Sequence, residues 1–275
     1  MKLYRRSVVL TLSGRSGLKI ENLKMAFRVD KTISGQPNKA TIDIWNLSAA
    51  HRGVFKDEFT RLRLEAGYLG EIGAQGNVGI IFDGHIRDVV HKRQGTDIVT
   101  HLECGDGDKG IREGTINKTL PPGTTVKDVV GVLREAMEDV DEGPIQGLDD
   151  APAFDREVTL CGPITRELDK IGRTHQVHWS IQDGVLEIIP GTSAINDVVV
   201  IGQDTGMIGA PSVTDKGVNV ECLLNPQIRA NRMVRVISTT VDVPKEDLRV
   251  SSVAFEGDNQ NGAFKAIIEA ERLEG

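Results

Sequence analysis

Residues 37–48 read Pro37-Asn38-Lys39-Ala40-Thr41-Ile42-Asp43-Ile44-Trp45-Asn46-Leu47-Ser48. Ala40, Ile42 and Ile44 alternate with Thr41 and Asp43, a period of two that sends one set of side chains to a core and the other to water. The stretch therefore predicts a β-strand, entered from the Ser34-Gly35-Gln36-Pro37-Asn38 turn and left at Ser48, which is placed to cap a short helix running through Phe55. The same period extends outward. Residues 3–12 alternate, Met25, Phe27 and Val29 mark a further strand, and Leu62, Leu64 and Ala66 resume the spacing. Residues 79–93 and 96–105 predict a long antiparallel pair turning at Gln94-Gly95. Short strands joined by glycine turns indicate a barrel or sandwich. Glycine falls on every third position from Gly67 to Gly79, but without proline and over too few triplets for collagen, so that stretch reads as a hairpin loop.

The middle of the chain changes period. Pro121-Pro122-Gly123 interrupts it, Thr125 with Asp128 has capping-box spacing, and Val126, Val129, Val130, Leu133, Met137 and Val140 recur on one helical face. Residues 139–155, acidic and containing Gly and Pro, read as an exposed loop. Pro163 suits a first helical turn, with Ile164, Leu168 and Ile171 on one face of a second helix. Val177, Trp179 and Ile181 then alternate up to Asp183-Gly184, a two-residue turn, and residues 185–189 return. From residue 198 the β signal resumes, with strands expected at 198–201, 218–224, 233–238, 250–255 and 264–270.

Length and composition bound the function. The 275 residues are 39% hydrophobic and 27% charged, enough apolar material for a packed core. Aromatics at 4% argue against an aromatic-rich binding platform. The net charge of -7 divides unevenly: residues 1–110 hold 17 Lys+Arg against 13 Asp+Glu, and residues 111–275 hold 16 against 27. Scattered basic residues and a pI near 5.5 argue against the clustered basic face of a nucleic-acid binder. No stretch reaches the roughly 18 apolar residues of a membrane span, and the first residues carry no apolar signal region, so neither a signal peptide nor a membrane anchor is expected. Cys104, Cys161 and Cys222 form no metal-binding pair, sit in apolar surroundings and are expected to be buried reduced thiols of a chain made in a reducing cytoplasm.

Catalytic signatures are scarce. His175 and His178 form H-x-x-H, but across the expected end of a helix and start of a strand, without a third ligand nearby in sequence. Asp106-Gly107-Asp108 lacks the further oxygens and closing Glu of a calcium loop and reads as turn chemistry. Glu167 with Asp169, and Asp149 with Asp150, have no apolar pocket in sequence to raise one carboxyl for acid catalysis. No catalytic, cofactor or metal residue is assigned.

Three segments together resemble phage baseplate hub proteins. The first is Phe27-Arg28-Val29-Asp30-Lys31-Thr32 with Pro37-Asn38-Lys39-Ala40 and the strand ending Trp45-Asn46-Leu47-Ser48; the second is the insert at 124–189. The third runs from Gly206-Met207-Ile208-Gly209-Ala210-Pro211 through Gly217-Val218-Asn219-Val220 and Cys222-Leu223-Leu224-Asn225-Pro226 to the last strand pair. The resemblance implies a mainly β fold of two related β-barrels with a small α+β insert: 1–115 as the first barrel, 116–195 as the helix-helix-hairpin insert and 196–275 as the second barrel region. It further implies a non-enzymatic virion protein of the tail baseplate, assembled in the host cytoplasm without cofactor. Such a hub forms a homotrimer that adapts a sixfold tail tube to a threefold spike. Its partners are then the spike or tip protein, tube or adaptor proteins and the tape measure protein, while DNA passes without specific binding. Compared with larger hub proteins of the family the sequence is short, so no extra C-terminal enzyme domain and no lytic activity are expected, and the spike is expected to be a separate chain. Two other readings stay open here: a peptidoglycan- or secretin-associated binding module, suggested by the insert, and a tail-associated hydrolase.

Overall fold

The computed structural model describes residues 4–13, 17–56, 60–70 and 76–273. The first β region contains β1 (Tyr4–Leu12), β2 (Lys19–Ile20), β3 (Met25–Thr32) and β4 (Lys39–Trp45), then α1 (Ala49–Arg52), β5 (Arg61–Leu69), β6 (Gly79–Gln94), β7 (Asp97–Gly105) and α2 (Asp108–Glu113). The insert follows with β8 (Thr115–Leu120), α3 (Val126–Glu135), β9 (Asp141–Ile145), β10 (Val158–Pro163), α4 (Ile164–His175), β11 (Val177–Gln182) and β12 (Val185–Pro190). The second β region is β13 (Ile195–Ile201), β14 (Met207–Val213), β15 (Gly217–Leu223), β16 (Arg232–Val236), β17 (Leu248–Asp258) and β18 (Phe264–Glu271). The chain is mainly β, as the alternation predicts.

On β4, Ala40, Ile42 and Ile44 are buried and Lys39 and Thr41 exposed, and β3 alternates in the same way, whereas on β11 Ser180 and Gln182 are buried along with Trp179 and Ile181. Ser48 caps α1, its hydroxyl accepting from the His51 amide. Leu3 and residues 71–75 of the glycine-spaced loop lie outside the described residues.

The strands of both β regions join in one sheet, ordered β14-β15-β18-β17-β3-β4-β7-β6-β5-β1-β2, with β16 on β17 and β13 on β16. Within it one strand arrangement occurs twice. The first region reads β3-β4-β7-β6-β5-β1, and the second reads β14-β15-β18-β17-β16-β13, element for element in chain order. Register repeats as well as adjacency: β6 carries a bulge between Ile86 and Asp88 against β7, and β17 carries one between Val250 and Ser252 against β18. The repeats differ in their last pair, antiparallel for β1 and β5 but parallel for β13 and β16.

The two units are fused through β17. Its first residues, Leu248 and Arg249, pair with β16, while Ser252 to Asp258 pair with β3 on that same side. Inward side chains of both units therefore share one apolar core, from Val8 to Ala270. The insert has a core of its own, built from Ile116, Val129, Leu133, Leu160, Leu168, Trp179, Leu186 and their neighbours.

The structure departs from the sequence reading in several places. Residues 141–145, expected as loop, form β9, which pairs parallel with β12 at the edge of a three-stranded sheet. An edge strand with solvated side chains needs no apolar alternation, because its backbone alone makes the pairing. Helix α3 ends at Glu135, so Met137 and Val140 are buried beyond it rather than on it. β8 and β10, unread in sequence, form a two-stranded sheet. β14 was also unread, since Gly209, Pro211 and an irregular register erase its period. Cys104 and Cys222 are buried, but Cys161 is exposed: β10 alternates, turning Leu160 inward and the thiol to water.

Candidate functional site

Between the two cores lies a belt of buried polar side chains that fastens the insert to both β units. Asn38, at the end of the turn before β4, is at its centre. Its Oδ1 accepts from the Thr32 amide at 2.9 Å, and its Nδ2 donates to the Ile181 carbonyl at 2.7 Å and to Gln182 Oε1 at 3.2 Å. Asp106, directly after β7, is fully buried and accepts from the amides of Asp183 at 2.6 Å and Gly184 at 2.7 Å. Those two residues have φ of +57° and +81°, the left-handed pair of a primed hairpin turn, which points their amides out of the hairpin. Lys31 of β3, also buried, reaches Asp183 Oδ1 at 2.5 Å. Burial, with Asp183 adding to it, pushes the Asp106 carboxyl up to about 7, against the opposing pull of Lys31 and the two amides.

The second unit holds the other side of the hairpin. Asn231 Nδ2 donates to Glu187 Oε2 at 2.9 Å and Arg232 to Glu187 Oε1 at 3.0 Å. Arg249 is buried, donating to the Pro190 carbonyl at 3.2 Å and to Glu271 Oε1 at 2.6 Å. Its counterpart in the first unit is His85: each residue stands just before the bulge, opposite Glu271 and Gly105 respectively. His85 also turns to the insert, its Nε2 3.3 Å from Asp139 Oδ2, and burial holds its pKa below the ordinary value. Equivalent positions of the repeat thus grip the insert from both units.

The candidate residues of the sequence are distributed differently. His175 ends α4 and His178 lies on β11; among the described residues no group of three or more His, Cys, Asp or Glu side chains could hold a metal ion. Glu167 pairs with Lys170 at 2.8 Å, Asp169 accepts from Trp179 Nε1 at 2.9 Å, and Asp149 pairs with Lys127. Asp108 is buried against Arg87 and Arg112. Asp108, Glu167 and Asp169 are thus tied into the packing, and Asp149 makes a surface ion pair. The sequence reads Asp106 as turn chemistry, and the turn it stabilises lies 77 residues away. No local signal marks that partner, and the same holds for Lys31, Asn38 and Arg249.

Two open grooves flank the belt. One is lined by Ser34, Gly35, Asp169, His178 and Trp179; the other lies between Asn77 to Gly79, Asp197 to Val199 and Pro226, Gln227 and Arg229.

This arrangement of two fused units and a small α+β module is a fold shared with phage tail proteins of known structure. The structure is similar to the 43 kDa tail protein of prophage MuSo2 from Shewanella oneidensis (TM-score 0.67, 10% identity, 98% of each chain). It is similar also to a tail protein from Neisseria meningitidis MC58 (TM-score 0.61, 11% identity, 98% of this chain and 97% of that one). A third likeness is to the E. coli c3393 protein, described as a type VI secretion component similar to T4 tail proteins gp27 and gp5 (TM-score 0.61, 11% identity, 95% of this chain and 76% of that one). No curated protein matches in sequence. Residues 6–270 match the family described as baseplate hub gp41, and the chain belongs to that family. It is a structural protein of the phage tail baseplate. Among the described residues no helix is long and apolar enough to cross a membrane.

Proposed function

We propose that three copies form a ring at the distal end of the tail tube, a hub that joins a sixfold tube to a threefold spike and lets DNA pass during ejection. The observation that carries this is the internal repeat. A chain with two topologically equivalent β units presents six such units when three copies close, so one ring can meet sixfold and threefold partners on its two faces. In this reading the chain divides at residues 115 and 195, a division that the repeat and the separate core of the insert support. Spike or tip protein, tube or adaptor proteins and the tape measure protein are the partners of such a ring. The acidic excess of residues 111–275 suits a channel wall that repels the phosphate backbone. A joint of this kind acts by geometry and calls for no catalytic step.

Light scattering on the purified chain, alone and with the neighbouring tail proteins, tests the reading. A mass of three times 29.9 kDa is expected, and a protein monomeric in both settings overturns it. Turbidity of a cell-wall suspension should stay constant in its presence; clearing would favour the hydrolase reading.

A further inference from the structure

Inside one chain, β3 at the edge of the first unit lies along the far part of β17, beyond the residues that β17 gives to β16. The counterpart of β3 in the second unit is β14, and the counterpart of β17 in the first unit is β6. Strand β14 ends the sheet, paired among the described residues with β15 alone. Strand β6 pairs with β5 only from Gly79 to His85; from Asp88 to Gln94 it keeps β7 on one side and, among the described residues, no strand on the other. The two surfaces that meet at the seam within the chain therefore recur, unmet, at its two ends.

We propose that β14 of one copy pairs with the free stretch of β6 in the next copy, repeating between chains the seam that β3 and β17 make within one. This rests on the ring reading and names the contact that builds the ring. The occupant is a second copy because the chain already carries the matching half of each surface: β14 stands where β3 stands, and β6 where β17 stands. The contact is head-to-tail, the kind that propagates until a ring closes. It also covers two exposed edges, which would otherwise template unwanted pairing.

The repeat sets the register. Met25 and Met207 stand opposite the equivalent residues Ile44 and Cys222, and Val29 and Val213 opposite Ala40 and Val218. The matching bulges align His91 with Phe255 and Lys92 with Glu256. Across the internal seam Phe255 faces Val29 and Glu256 faces Arg28. Between chains His91 then faces Val213, and Lys92 faces Ser212. The chemistry suits the pairing. Ile208 and Val213 on β14 are 39% and 44% exposed, and Val89 and Val90 on β6 are half-buried. Lys92 and Arg93 have no carboxylate partner among the described residues, and in this register Lys92 is set to donate to the Ser212 hydroxyl across the seam. At the internal seam the equivalent positions hold the pair Arg28 and Glu256.

Paired cysteines test the register. With Cys161→Ser removing the exposed thiol, His91→Cys and Val213→Cys are placed in one chain. The sites lie on strands seven places apart in the sheet, and a bridge within one chain would leave the gel band at monomer mass, which distinguishes it from a bridge between chains. Mild oxidation should convert the monomer band on a non-reducing gel to species of two and three chains, ending in a closed trimer. His91→Cys with Ile208→Cys, out of register, should remain monomeric on the gel. Ile208→Lys with Val213→Lys should abolish the oligomer while leaving the circular dichroism spectrum of the folded chain unchanged. A trimer in solution that neither cross-links through residues 91 and 213 nor responds to the two lysines overturns this seam and leaves the ring reading intact. A chain monomeric alone and with its tail neighbours overturns both.

Discussion

Removing the Asp106 carboxylate tests whether the polar belt, rather than apolar contact, holds the insert on the β body. In Asp106→Ala the amides of Asp183 and Gly184 lose acceptors at 2.6 and 2.7 Å, and Asn38 loses a weaker one at 3.4 Å. Leaving a buried donor unsatisfied costs about 1–3 kcal/mol. Removing one of two neighbouring carboxylates eases the repulsion with Asp183, so the expected net loss is about 2–4 kcal/mol in urea unfolding. The pH dependence adds a second, independent readout. Burial raises the folded-state value to about 7 from an ordinary 3.8, so the native chain binds this proton more tightly than the unfolded one. Its contribution is fully present below the unfolded value and is lost as pH rises towards 7. At about 1.4 kcal/mol per pH unit, the loss between about pH 5 and about pH 8 is at most about 3 kcal/mol. Asp106→Asn, which keeps one acceptor and cannot titrate, should show a correspondingly flatter stability profile over that window. Equal slopes in the wild type and Asp106→Asn, or an Asp106→Ala chain within about 0.5 kcal/mol of the wild type, would refute the account.

Three further outcomes are expected. Gly257 faces Phe27 across the seam between β17 and β3, and a Cβ there would enter the phenyl ring, so Gly257→Ala should cost about 1–3 kcal/mol by overpacking, read from the denaturation midpoint. A thiol reagent should modify one cysteine, Cys161, in the native protein; Cys104 and Cys222, whose burial pushes their thiols up to about 12, should react only on unfolding, and rapid modification of all three would contradict their placement. Thr125→Ala removes half of a capping box on α3 and should lower stability by about 1 kcal/mol, with Thr125→Ser restoring most of it.

How much of this was legible before folding depends on the range of each interaction. The alternation of Ala40, Ile42 and Ile44, the Thr125 and Asp128 box and the Asp183-Gly184 turn all act within a few residues, so residue order alone displays them, and the structure places each where it was read. Strands β9 and β14 were invisible because an edge strand pairs through its backbone and leaves its side chains free of any periodic demand. Cys161 was misplaced because an apolar neighbourhood in sequence says nothing about which face of β10 meets water.

The candidate site divides along the same line. Order and composition of the chain by themselves determined a mainly β protein with an α+β insert, and the resemblance carried by its three segments pointed to a tail hub. Which β3, β14, β6 and β17 edges match, and which polar residues lock Asp183 and Glu187 to the body, was decided only in three dimensions. Asp106 meets Gly184 across 78 residues, and Phe255 meets Val29 across the whole insert. Such partners are selected by the packing of two units against each other, and no local pattern of residues encodes a contact whose other half is set by the twist and register of a distant strand.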